Sequence, residues 1–150
     1  MTQSQQRVRA ASVCYAMLCV SWLARPLILA QIDWKGSWEG LFALLAMLPA
    51  GFWAIVLGQA LVNGAMSVLS FNFLALHRAL RAATICIAVL LVLCYAASLV
   101  AHLKHPFEPQ CCASQPLAWT ATVGLVVGYS MCAYLLWSAA WTSNNRSRGP

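Results

Sequence analysis

The sequence predicts an all-α integral membrane protein, with four transmembrane helices in an antiparallel bundle and an amphipathic interfacial helix between the second and third spans. Three observations carry this. Of the 150 residues, 62% are hydrophobic and only 8% charged, against roughly 25% charged in ordinary soluble domains. The charges are confined to breaks between long neutral stretches, each reaching the roughly 20 apolar residues that cross a hydrocarbon core. Six of the nine basic residues sit as pairs at every second break, as expected of a chain that threads back and forth. A water-soluble globule is excluded. The length suits one domain, residues 1–150, with spans at about 10–31, 40–62, 82–103 and 117–141 and polar tails at 1–9 and 142–150.

The first span lies between Arg9 and Asp33 and is interrupted only by Arg25-Pro26. Its apolar run is longer than the 7–15 residues typical of a signal peptide and ends without a small-residue cleavage site, so it is read as a true span. Pro26 lacks a backbone donor and biases Arg25 away from helix, which predicts a kink or unwinding at the outer end. Arg25 stands about 24 Å along the axis from Arg9, close enough to the outer boundary for its side chain to snorkel. Pairing with Asp33 or Glu39 is the alternative.

The second neutral stretch, 40–76, would reach about 55 Å as a single helix, against a hydrocarbon core of about 30 Å. The span is placed at 40–62, with a break at Asn63-Gly64, two residues that tolerate turns. Beyond it Ser67, Ser70, His77, Arg78 and Arg81 gather on one side of a helical wheel, largely opposite Val68, Leu69, Phe73, Leu76 and Leu80. That pattern predicts a helix lying in the interface, and a tilted or kinked extension of the second span stands beside it as the competing reading. Gln59 and Asn63, four apart, are placed to hydrogen-bond a neighbouring span.

The third span fills 82–103 between Arg81 and Lys104. The fourth runs from the Pro116 turn to Trp141 and carries Gly124 and Gly128, a small-xxx-small pair that lets backbones approach closely, here for packing inside one molecule.

Orientation follows from the basic residues. Arg7 and Arg9, Arg78 and Arg81, and Arg146 and Arg148 all fall on one face, whereas Arg25, Lys35 and Lys104 on the other are offset by Asp33, Glu39 and Glu108. Both termini are therefore expected in the cytoplasm, at a bacterial inner membrane. The formal charge of +6 records insertion and is no nucleic-acid surface. Aromatic rings agree: Trp34, Trp38 and Trp119 fall at the outer boundary and Trp137 and Trp141 at the inner one, joining Arg25 as interface anchors. Trp22, Trp53 and Tyr95 lie deeper and are read as packing residues.

Proton-coupled transport and intramembrane catalysis generally use ionisable groups within the hydrocarbon. The predicted spans carry no Asp, Glu or Lys, and His102 stands at the very end of one. The outer loop after the third span gathers His102, His105, Glu108, Cys111 and Cys112. Imidazole and thiolate suit copper or zinc, so His102, His105, Cys111 and Cys112 form a candidate metal set, although the spacing matches no zinc finger or ribbon. Cys111 and Cys112 are alternatively a vicinal disulfide, a link to another chain, or plain thiols. Cys14, Cys19, Cys86, Cys94 and Cys132 fall in spans, where cysteine acts as a small hydrophobe.

The stretch from Leu48-Pro49 through Gln59-Ala60-Leu61, Gly64 to Ser70 and Leu76-His77-Arg78-Ala79-Leu80-Arg81 resembles a group of uncharacterised bacterial four-span membrane proteins. There, a Gly-containing connector leads from the second span to a Leu-Arg-rich approach to the third. The resemblance implies architecture only. The expected function is that of a small non-enzymatic polytopic protein with no cofactor, acting by helix packing with a membrane protein partner or a second copy of itself, in an accessory, sensor or immunity-type role. A metal or thiol handler using the outer loop, and a small oligomeric transporter, are the alternatives.

Overall fold

The computed structural model describes residues 2–33, 50–104 and 115–146. Four helices account for nearly all of them: α1 (Gln3–Asp33), α2 (Ala50–Phe71), α3 (Arg78–Lys104) and α4 (Gln115–Arg146), with a 3-10 turn at Phe73–Ala75 between α2 and α3. No strand occurs among the described residues. Three segments are long and apolar enough to cross a membrane: Ala50–Phe71, Arg78–Ala101 and Thr122–Ser143. These support a bilayer environment. The described part of α1 is not among them, and Arg7 and Arg9 lower the apolarity of its early turns.

Helix α1 begins earlier than the polar tail suggested, and the residues explain why. Thr2 and Gln5 cap it reciprocally: the Gln5 N–H donates to Thr2 Oγ1 at 3.4 Å, and the Thr2 N–H donates to Gln5 Oε1 at 3.0 Å. This is a capping box, which satisfies two otherwise orphaned donors. From there α1 buries Val8, Ala11, Tyr15, Leu18 and Trp22, spaced alternately three and four apart, the seam of a helix packed on others. The helix runs through Pro26 to Asp33, so the predicted unwinding at Arg25-Pro26 does not interrupt it. Helix α4 likewise extends to Arg146, into the predicted tail. It buries Leu125, Tyr129, Cys132, Leu136 and Ala139 with the same spacing.

The packing order is α2, α1, α4, α3. Helix α1 packs against both α2 and α4, α3 packs against α4, and α2 and α3 barely touch. Hydrogen bonds tie α1 to both of its neighbours. Ser12 bonds Ser67 and Cys19 bonds the Ala60 carbonyl of α2, while Arg7 reaches the Ser138 carbonyl and Cys14 the Gly128 carbonyl of α4.

The break predicted at Asn63-Gly64 and the interfacial helix after it do not form. Helix α2 continues unbroken to Phe71, and the competing reading, an extension of the second span, describes residues 64–71. The reason is contact with α1. Asn63 is fully buried, a Cβ built on Gly64 would stand 4.0 Å from the Cys19 sulfur, and Ser67 is hydrogen-bonded to Ser12. Small and hydroxyl side chains that look polar on a wheel form a close helix contact instead. The turn falls later, at residues 72–77. There Phe73 is fully buried, and Arg81 donates through Nε to the Leu76 carbonyl at 2.8 Å and through Nη2 to the Leu74 carbonyl. The Ala79 N–H donates to His77 Nδ1 at 3.4 Å, a side-chain cap at the start of α3.

Candidate functional site: the helix seams and their basic rim

Two seams meet on α1. Toward α2 the contact is polar. Ser12 Oγ donates to the Ser67 carbonyl at 2.9 Å, Ser67 Oγ donates to the Ser12 carbonyl at 2.9 Å, and the two hydroxyls lie 3.2 Å apart. About two turns onward the Cys19 thiol donates to the Ala60 carbonyl at 3.2 Å. Each such bond contributes about 0.6 kcal/mol between helices in lipid, where burial of apolar surface supplies no drive because lipid tails are equally apolar. The seam therefore depends on these bonds and on close packing.

Toward α4 the contact is aromatic and sulfur-rich. Tyr15 and Tyr129, both fully buried, have ring centroids 6.3 Å apart at 57°. Tyr129 stacks on Tyr95 of α3 with centroids 4.6 Å apart and an interplanar angle of 9°, and Tyr95 meets Trp22 at 6.3 Å and 46°. Four rings from three helices thus form one continuous cluster. Beside it Cys132 is fully buried and the Cys14 thiol donates to the Gly128 carbonyl at 3.8 Å. Cysteine in a span was expected to act only as a small hydrophobe. Here Cys14 also links α1 to α4, and Cys19 links α1 to α2.

The polar residues singled out in the sequence behave differently from one another. The Asn63 side-chain amide donates at 2.7 Å to the Gln59 carbonyl one turn back in its own helix, so among the described residues the bond it makes is within α2 and not to a neighbouring span. The side-chain oxygens of both residues, with the hydroxyls of Tyr15, Tyr129 and Ser70, are buried without a hydrogen-bond partner among the described residues. An unsatisfied buried group costs about 1–3 kcal/mol, so these seams trade stability for polar groups held deep between helices.

The glycine pair divides as well. A Cβ on Gly128 would meet Leu18 Cδ2 at 3.4 Å, whereas one on Gly124 would meet nothing within 4 Å. Among the described residues it is Gly128, and not Gly124, that lies under the α1 seam and serves the close approach of α1 and α4. Trp137 and Trp141 stand exposed on α4 beside Arg7, the arrangement expected of boundary rings. Trp22 is buried, Tyr95 half-buried, and Trp53 rests half-buried with its ring edge-on to Phe52 at 6.3 Å.

Other predicted site residues lie outside the described residues: Trp34, Trp38, His105, Cys111 and Cys112. Arg25, His102 and Trp119 belong to helices, but their side chains fall outside the described set. Among the described residues no group of three or more His, Cys, Asp or Glu gathers as a metal site would. The sequence reading overlooked Tyr15 and Tyr129, although a signal was present: both occupy the three-four spacing that marks the buried stripes of α1 and α4. No protein-family model matches the chain, and no curated protein and no solved structure is detectably similar to it.

Proposed function

We propose that the chain is a non-enzymatic multi-pass membrane protein, its four helices crossing a bacterial inner membrane as an antiparallel bundle with both termini cytoplasmic, and that it works by packing against a membrane protein partner in an accessory, sensor or immunity-type role. The observation that carries this is the poor coverage of α3. Only 11% of its spanning window is buried inside the chain, against 28% for each of the other two candidate spans. It contacts α4 along Thr84, Ala88, Val92 and Tyr95 and leaves the opposite stripe, Cys86, Leu90, Leu93 and Ala97, exposed. Small residues at either end of that stripe leave room for a second helix to approach, the usual means of association in lipid. The paired basic residues at alternate breaks support the orientation.

Cross-linking tests the reading. A photoreactive residue at Leu90 or Leu93, irradiated in native membranes, is expected to capture one discrete protein, identified by mass spectrometry. The same probe at Leu61, on the exposed side of α2, is the control. Adducts to lipid alone from α3, or equal capture from both positions, would overturn the role assigned to α3.

A further inference from the structure

Among the described residues, one groove brings together a cation, exposed aromatic rings and the end of an apolar helix. It lies where α1 begins and α4 ends, encloses about 380 Å³, and is lined by Arg7, Tyr134, Trp137, Ser138, Trp141 and Thr142. Arg7 is half-buried, and its Nη1 donates to the Ser138 carbonyl at 3.3 Å. A guanidinium has five N–H donors in a planar fork and stays charged under all ordinary conditions. Arg7 therefore retains donors for a second acceptor.

Depth and charge narrow what that acceptor is. Ser138 stands five residues inside the end of the window Thr122–Ser143, about 7 Å along the axis, so the cation is held below the limit of the apolar helix. Among the described residues no carboxylate lines the groove. The Ser138 and Thr142 hydroxyls are occupied, donating to backbone carbonyls of Leu135, Ser138 and Ala139. Trp137, Trp141 and Tyr134 are 58%, 62% and 68% exposed, and such rings favour the zone between headgroups and acyl chains. Two other arginines near this end differ. Arg78 is exposed at the first residue of α3, and Arg81 is engaged by the Leu74 and Leu76 carbonyls.

We propose that this groove is a binding site for an anionic phospholipid. Arg7 takes the phosphate oxygens through its fork, and Trp137 and Trp141 pack along the glycerol and upper acyl chains. The inference rests on the membrane placement given above. A phosphate at this depth comes with its lipid, and a zwitterionic headgroup would bring an ammonium that finds no acid among the described residues of the groove. The anionic charge of the cytoplasmic leaflet supplies the ligand where the basic pairs place this end of the chain.

The test uses the full chain reconstituted in phosphatidylcholine vesicles with rising fractions of brominated phosphatidylglycerol or brominated phosphatidylcholine, read by quenching of tryptophan fluorescence. Phosphatidylglycerol is expected to associate several-fold more strongly than phosphatidylcholine. The excess should vanish in the Trp137→Phe/Trp141→Phe variant, fall to parity in Arg7→Gln, and persist in Arg78→Gln. Arg7→Lys, which keeps the charge and loses the fork, should fall between and serves if Arg7→Gln does not fold. Millimolar inorganic phosphate should leave the excess unchanged. Equal quenching by the two lipids, equal loss in Arg78→Gln and Arg7→Gln, or displacement by free phosphate would each overturn the site. Release of the protein by alkaline carbonate would instead overturn the membrane placement itself, which separates the two failures.

Discussion

Replacement of Tyr129 probes the centre of the helix packing most directly. Its ring is fully buried, stacks on Tyr95 at 4.6 Å and meets Tyr15 at 6.3 Å, so three helices converge on it. Tyr129→Ala removes roughly 100 Å³ of side chain, and at about 24 cal/mol per Å³ of unrelaxed cavity this costs about 2.4 kcal/mol. Loss of the two ring pairs adds about 0.5–1.5 kcal/mol each, partly overlapping the cavity term. The expected total is about 3–4 kcal/mol. Tyr129→Phe keeps both ring contacts and deletes a hydroxyl that has no partner among the described residues. It should therefore be neutral, or stabilising by up to about 1 kcal/mol. Reversible unfolding in mixed micelles with rising sodium dodecyl sulfate, followed by circular dichroism, measures both. A Tyr129→Ala cost below about 1 kcal/mol would refute the convergent aromatic cluster. A Tyr129→Phe cost as large as that of alanine would refute the reading that ring packing, and not the hydroxyl, holds the site.

Three further outcomes are expected. Gly128→Leu should destabilise the protein by about 1–3 kcal/mol through overpacking against Leu18, while Gly124→Leu stays within about 0.5 kcal/mol of the parent, in the same unfolding assay. Reporter fusions after Arg9, Arg78, Lys104 and Arg146 should read inside, inside, outside and inside, and any other order would refute the antiparallel four-span topology. Purified protein carrying Cys111→Ser/Cys112→Ser should match the parent in bound copper and zinc by elemental analysis, as expected of a chain that acts through packing; a stoichiometric loss of metal would favour the metal-handling alternative.

Much of the helix order was legible because charge is so costly in lipid that the few charged residues punctuate the chain. The third and fourth spans were expected at 82–103 and 117–141, inside the helices Arg78–Lys104 and Gln115–Arg146. The second was expected to end at 62, short of Phe71, because Asn63, Gly64, Ser67 and Ser70 resemble a turn and a wet helix face when read locally. Their partners Ser12 and Cys19 lie more than forty positions earlier, and no local pattern reveals them. For the same reason, nothing in the motif separated Gly128 from Gly124, since the difference is the presence of Leu18 on another helix.

The sequence by itself determined the solvent, the helical class and the placement of charge, because each follows from composition and from distances along one chain. Only the tertiary structure decided which residues form the seams. It set Cys14 against the Gly128 carbonyl, gathered Tyr15, Tyr95 and Tyr129 with Trp22, and set Arg7 against Ser138. These are choices of helix neighbour and rotation. In an apolar solvent hydrophobicity does not select them, because every apolar face is equally content against lipid, and selection falls to close fit and hydrogen bonds that exist only once the helices have met.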